Sequence, residues 1–256
     1  MTKVTVSKKD IQKFLLSFGK DLIDLRIVCE NNCACAEIAF SSYYMRKILP
    51  ATVTESGTLH IADLQKALKF IKASKNEHIE IRQTATDKPL HIVSGGNKLQ
   101  IPSTNNILSA SKVPIIKKLM KLSADTSYTV FGNSGIKLTA HGTIDATDLT
   151  ALNEMSSLVS KESDFVLRMH PGEQEFGLVA GKMASGRLFT TLPMSNTDGP
   201  NATVQSKFGE WLPKCLSYLE EQTTNVHMGD NTLVIFEQDN TTLMVVDMAE
   251  VWGWLL

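Results

Sequence analysis

The sequence contains no apolar run long enough to span a bilayer, and its first residues, Met1 to Val6, lack the apolar core of a signal peptide. These absences predict a soluble, cytoplasmic protein with no membrane partner. Cysteine is scarce, with 4 among 256 residues. None forms the Cys-x-x-Cys or Cys/His sets that zinc requires. Cys33 and Cys35 stand two apart on one face of an expected strand, while Cys29 and Cys215 have apolar neighbours. The four are read as buried, reduced thiols, and no metal is expected. Also missing are the Gly-x-x-x-x-Gly-Lys-Ser/Thr and Gly-x-Gly-x-x-Gly loops that cradle phosphates; Ser94-Gly95-Gly96 is read as a hairpin turn. The 6 histidines are scattered, with no recurring spacing to Cys or Ser. Asp145 and Asp148 sit at a helix start, where carboxylates cap backbone N–H groups rather than bind metal. No catalytic residue and no cofactor is expected, so the chain is not read as an enzyme. A net charge of -1 does not by itself advertise nucleic-acid binding.

What the sequence does hold is ordinary globular material, 43% hydrophobic and 21% charged. Its length favours two domains, at ~150 residues each. An internal repeat sharpens this expectation. Leu64, Ala67, Leu68 and Ile71 recur at helical spacing and precede three short strands, Ile79 to Ile81, Leu90 to Ile92 and Leu99 to Ile101. Phe208, Trp211, Leu212, Cys215 and Leu219 recur likewise and precede Val226 to Met228, Leu233 to Ile235 and Leu243 to Val245. Matching Leu64 with Phe208, Ile71 with Cys215 and Leu99 with Leu243 gives a nearly constant offset. It is too long for a solenoid, so one helix-plus-three-strand unit occurs in each of two similar domains.

Taken in order, a strand around Val4 leads to Ser7 as N-cap of a helix from about Lys8 to Asp21. Its apolar side is Ile11, Phe14, Leu15, Phe18 and Leu22; Lys9, Lys13 and Lys20 gather opposite. Strands follow to Thr54, broken by Pro50, and a second helix from about Ile61 to Ala73 puts Lys66 and Lys69 opposite Leu64, Leu68 and Ile71. The segment 105–122, with Val113, Ile115 and Ile116, has no repeat counterpart and is read as a connector between domains 1–104 and 123–256. In the second half a helix from about Asp148 to Ser160 buries Leu149, Leu152, Met155 and Val159, with Lys161 at its polar side. The helix at Trp211 to Leu219 has Pro213 in its first turn and is flanked by Lys207 and Lys214. Second-half helices thus carry few lysines. The chain ends in an apolar tail containing Trp252 and Trp254.

Two tandem units of helix, strands, helix and strands, with basic helix faces in the first, resemble the sliding clamps that hold replicative polymerases on DNA. The similarity is strongest over Ser185 to Pro193 and from Asn231 to Ile235 on to Thr242 to Ala249. The resemblance implies an α+β fold of two clamp-type domains, antiparallel sheets outside and helices lining a ring around double-stranded DNA. Two-domain clamps, such as proliferating cell nuclear antigen and those of tailed phages, assemble as trimers, and the three-domain bacterial type as dimers, so a homotrimer is implied here. A phage origin would place it in the host cytoplasm. DNA polymerase and clamp loader are the implied partners. Candidate DNA-facing residues are Lys9, Lys13, Lys20, Lys66, Lys69, Lys161, Lys207 and Lys214, held by non-specific phosphate contacts. A partner-peptide pocket is implied at Val113, Ile115, Ile116, Val246 and Met248, residues equally read as core. Ring closure is implied between the strand with Lys98, Leu99 and Ile101 and a neighbour's strand with Arg187 and Phe189. Two rival readings are a monomeric processivity factor clinging to one side of the duplex, and an enzyme or partner-recruiting scaffold with no DNA role.

Overall fold

Alternating apolar and polar residues make most of the described chain strand, and short helices interrupt it. The computed structural model describes residues 1–19, 21–104, 106–114, 116, 120–122, 128–130, 136–159, 164–181 and 187–246. Contacts divide the chain into two compact units: Met1–Phe40 with Met45–Pro114, and Ser41–Tyr44 with Ile115–Leu256. The division falls at Pro114, inside the segment read as a connector.

The first unit runs β1 (Thr2–Ser7), α1 (Lys8–Leu16), β2 (Leu25–Glu30), β3 (Cys33–Ala39), β4 (Tyr43–Pro50), β5 (Thr52–Glu55), β6 (Gly57–Ile61), α2 (Leu64–Ala73), β7 (His78–Gln83), β8 (Leu90–Ser94) and β9 (Asn97–Ile101). One antiparallel sheet has the order β5-β1-β7-β8-β9, and β4-β3-β2-β6 form a second run. Ser7 begins α1 by accepting the Asp10 N–H (3.1 Å) and donating to its carboxylate (2.6 Å), as the N-cap expectation required. The helix ends earlier than the predicted Asp21. Gly19, at φ +90°, turns the backbone out of helical geometry after Ser17. Ile11, Phe14 and Leu15 are buried, and the Phe14 and Phe18 rings meet edge to face at 5.3 Å. Burial of each such side chain contributes about 2 kcal/mol. The start of the second helix, predicted at Ile61, lies at Leu64, because Ile61 ends β6 and Asp63 caps α2 through the Lys66 N–H (2.8 Å). Gly95 and Gly96 form the expected two-residue hairpin turn, with Gly95 at φ +59°.

The second unit runs β10 (Met120–Leu122), β11 (Tyr128–Val130), β12 (Ile136–Lys137), β13 (Ala140–Ile144), α3 (Ala146–Ser157), β14 (Phe165–His170), β15 (Glu175–Ala180), β16 (Leu188–Pro193), β17 (Ser195–Asp198), β18 (Val204–Phe208), α4 (Leu212–Leu216), β19 (Thr224–Met228), β20 (Leu233–Gln238) and β21 (Thr241–Val246). Its sheets have the orders β16-β15-β14-β18 and β17-β13-β19-β20-β21, with β10-β11-β12 a small meander. The Ser42 carbonyl accepts the Val246 N–H at 2.9 Å within this unit. Strand, helix and three strands thus recur four times, starting at β1, β6, β13 and β18. The repeat read from sequence is the second and fourth of these.

Two predicted assignments are corrected. Phe208 is the last residue of β18, not the first of a helix, so the buried face of α4 begins at Leu212 and matches α2 as Leu64 with Leu212, Ala67 with Cys215 and Leu68 with Leu216. The second error is in α3, where Met155 is 36% exposed and Ser156, donating to the Asn153 carbonyl, is buried in its place. Leu149, Leu152 and Ser156 share one side at 100° per residue, and Met155 is rotated off it.

Candidate nucleic-acid and subunit interfaces

Burial decides which side of each helix is available. Ile11, Phe14 and Leu15 of α1 and Leu64, Ala67, Leu68 and Ile71 of α2 are buried in the first unit, and the two helices pack together. That leaves Lys9 and Lys13 exposed on α1 and Lys66 and Lys69 exposed on α2, with Lys72 on the flank. Among the described residues, no carboxylate stands at ion-pair distance from Lys9, Lys66, Lys69 or Lys72. Lys8 is used differently, donating to the Ser74 carbonyl at the end of α2. Lys72 is not among the candidates read from sequence, although its helical spacing from Lys66 and Lys69 is a signal for it. Lys20 and Lys161 lie outside the described residues.

The other two lysines separate. Lys214 is exposed on α4, but Lys207 does not flank that helix: it projects from β18 opposite Val166 and pairs with Asp164 at 3.0 Å. Its strand position follows from Phe208 ending β18.

The strands expected at a subunit interface are both sheet edges. Among the described residues β9 pairs only with β8, and β16 only with β15. Along β9, Lys98 is exposed, Leu99 half-buried and Ile101 fully buried, so Ile101 belongs to the core. On β16, Phe189 is 63% exposed, and Arg187 lies exposed just before the strand. A row of unpaired backbone groups beside a large apolar side chain is a template for another strand. Next to β16 a shallow groove of about 210 Å³ is lined by Arg168, Glu175, Gly177, Val179, Phe189 and Thr191. Gly177 lies along it, where a Cβ would come to 3.0 Å from the Thr190 carbonyl oxygen of the paired strand.

The segment after β9, read from sequence as the start of a connector, is anchored by a residue that sequence reasoning missed. The Asp24 carboxylate accepts the N–H groups of Leu108 (2.8 Å) and Ser109 (3.1 Å), and the Ser109 hydroxyl donates to the Asp24 carbonyl (3.0 Å). A short 3-10 turn, Leu108–Ala110, is thereby fixed to the start of β2, with Leu108 66% exposed. Of the partner-peptide candidates, Val113 is buried and falls in the first unit, Ile116 is half-buried, and Val246 is buried and falls in the second. Ile115 and Met248 lie outside the described residues, as do Trp252 and Trp254.

Burial pushes the Cys29 and Cys215 thiols up to about 12, and all four cysteines are unbridged. Among the described residues no three His, Cys, Asp or Glu side chains are grouped so as to hold a metal. Asp145 stands at the N-cap of α3 without a side-chain capping bond, so only its position matches the expectation. No helix of the described residues is long and apolar enough to cross a membrane.

No protein-family model matches the sequence, and no curated protein matches it either. Solved structures do. The beta clamp of Helicobacter pylori, bound to a DNA ligase peptide, matches with a TM-score of 0.68 at 13% identity, over 95% of this chain and 66% of that one. The chain therefore spans just under two thirds of the bacterial clamp's length. The PCNA of A. fulgidus, bound to the C-terminal region of FEN-1, matches with a TM-score of 0.66 at 12% identity, over 96% of this chain and 97% of that one. The PCNA of Entamoeba histolytica gives 0.66 at 10% identity, over 96% and 97%. At such identities the likeness concerns architecture, and it covers both units: the chain has the sliding-clamp fold, as two tandem clamp-type domains of antiparallel sheets and paired helices.

Proposed function

We propose that this protein is a DNA sliding clamp, a non-catalytic ring that encircles duplex DNA and tethers a replicative DNA polymerase for processive synthesis. The observation that carries the reading is the coincidence of the clamp fold with a basic, outward helix face: Lys9, Lys13, Lys66 and Lys69 stand opposite the buried sides of α1 and α2. Exposed ammonium groups on helices engage phosphates without reading bases. Such contacts are weak and salt-screened, so retention would come from encirclement rather than affinity. Ring closure by β9 of one copy against β16 of the next is supported by the edge position of both strands. A trimer is supported by the near-complete match in length to two-domain clamps. The linker at Val113 to Ile116, together with Val246 and Met248, is the proposed docking region for peptides of polymerase and loader, since the bacterial clamp and the A. fulgidus PCNA carry ligase and FEN-1 peptides. Cytoplasmic replication, in a host cell if the source is a phage, fits this role.

The test is primer extension with the polymerase and loader of the protein's own source. Longer products on primed circular DNA, lost when the circle is opened near the primer, are expected. Product lengths indifferent to the protein would sink the proposal.

A further inference from the structure

The fourfold repeat lets the helices of the two units be compared position by position, and the comparison is uneven. Their buried residues set the register: Ile11 corresponds to Leu149, Phe14 to Leu152 and Phe18 to Ser156, while Leu64, Ala67 and Leu68 correspond to Leu212, Cys215 and Leu216. In that register the outward lysines of the first unit are largely replaced. Lys9 becomes Thr147 and Lys13 becomes Ala151, and α4 ends at Leu216, before any position that would answer Lys69 or Lys72; only Lys66 keeps its charge, as Lys214. The replaced faces also gain the opposite sign, with Glu154 exposed on α3 and Glu210 and Glu221 exposed on either side of α4. Apolar side chains are exposed there as well, Met155 at 36% and Leu158 at 74%.

We infer that the grip on the phosphate backbone resides in the first unit of each chain alone, and that the matching helices of the second unit form a passive face that leaves phosphates uncontacted. This rests on the sliding-clamp reading and deepens it. Among the described residues the α3 and α4 faces carry one lysine, Lys214, among several carboxylates, a balance that repels a polyanion, whereas the α1–α2 face attracts one. Each chain then supplies one gripping and one passive helix pair. Fewer phosphates are engaged at any instant than in a ring with basic faces on every domain, and fewer counterions are released. The duplex is held loosely and slides with little resistance.

Binding of the full chain to a short fluorescent duplex, followed by anisotropy across a salt series, tests this. The combined reversal Lys9→Glu, Lys13→Glu, Lys66→Glu and Lys69→Glu is expected to weaken binding at least about tenfold and to flatten the salt dependence by roughly 0.9 in log–log slope for each phosphate no longer neutralised. Lys214→Glu alone is expected to leave both affinity and slope at the wild-type values. A matching set of Lys→Ala changes, with the oligomer mass checked for each variant, separates the removal of charge from damage to the fold. The inference is overturned if Lys214→Glu costs as much as the single reversal Lys66→Glu, or if the fourfold reversal is silent. A wild-type protein that leaves primer-extension products unlengthened in the presence of polymerase and loader defeats the clamp reading itself, a failure visible before any variant is compared.

Discussion

Asp24 shows how much one side chain can organise. It is 8% exposed, and its carboxylate is the partner of two backbone N–H groups of the connector. Asp24→Ala leaves those donors without an acceptor, and the expected cost is about 2 kcal/mol. A lowered thermal midpoint and faster hydrogen exchange at Leu108 and Ser109 are the measurements; unchanged exchange there would mean the turn is held by something else. His141 and His227 offer a pH prediction. They face each other across β13 and β19 with Nδ1 atoms 2.7 Å apart, so one ring donates and the other accepts. Glu237 lies 3.6 Å from Nε2 of His227, and Asp198 stands opposite His141 on β17. Burial, and then the His227 charge, lower the His141 pKa below 6.5, against the raising influence of Asp198 and a backbone bond at Leu138. As the pH drops through 6.5 the unfolded chain therefore binds more protons than the folded one, and stability decreases as the solution is made more acid, until His141 itself is protonated. Thermal midpoints from neutral to mildly acid pH should show this decline, and His141→Asn should flatten it. Cys29 and Cys215, with raised pKa values and buried sulfurs, should take up a thiol alkylating agent at neutral pH only after unfolding.

At the scale of elements, the exposed edge of β16 gives the sharpest test. Phe189, 63% exposed on an edge strand, is an apolar group that water should not be left to solvate in a working assembly. Phe189→Lys should shift the protein to single chains without changing its circular dichroism spectrum; an unaltered mass would remove β16 from the interface. Elements were legible in the sequence where one face is apolar and the other polar. The strands β7, β8 and β9 and the buried sides of α1 and α2 follow directly from such patterns. Reading failed where the pattern admits two periods. Phe208, Trp211 and Leu212 fit a helical spacing, yet Val204, Ser206 and Phe208 alternate inward in β18. The correct register needed the strand pairing of β18 with β14, a contact between distant residues. Lys207 was misplaced by the same slip. The role of Asp24 was illegible for a related reason, because its partners lie more than eighty residues away in sequence.

For the whole molecule the deciding quantity is the number of copies. A chain that matches 97% of the A. fulgidus PCNA but 66% of the Helicobacter pylori clamp carries two clamp-type domains, and on the proposed reading three copies of it make the ring. The two edge strands proposed to meet, β9 and β16, belong to different units, which makes the contact heterologous. Such contacts either close into a ring or propagate without limit. Light scattering distinguishes the outcomes: closure predicts a single species of three chain masses that stays constant over micromolar dilution, and propagation predicts a mass that climbs with concentration. A constant mass of one chain would leave only a one-sided processivity factor compatible with the basic face of α1 and α2. Charge reversal at Lys9, Lys13, Lys66 and Lys69 should leave the three-chain mass intact while abolishing the gain in product length, because those lysines lie on helices and the edges that join copies lie on strands. If the mass and the product length instead fall together, the helix face is a subunit contact and the assignment of its lysines to DNA is wrong.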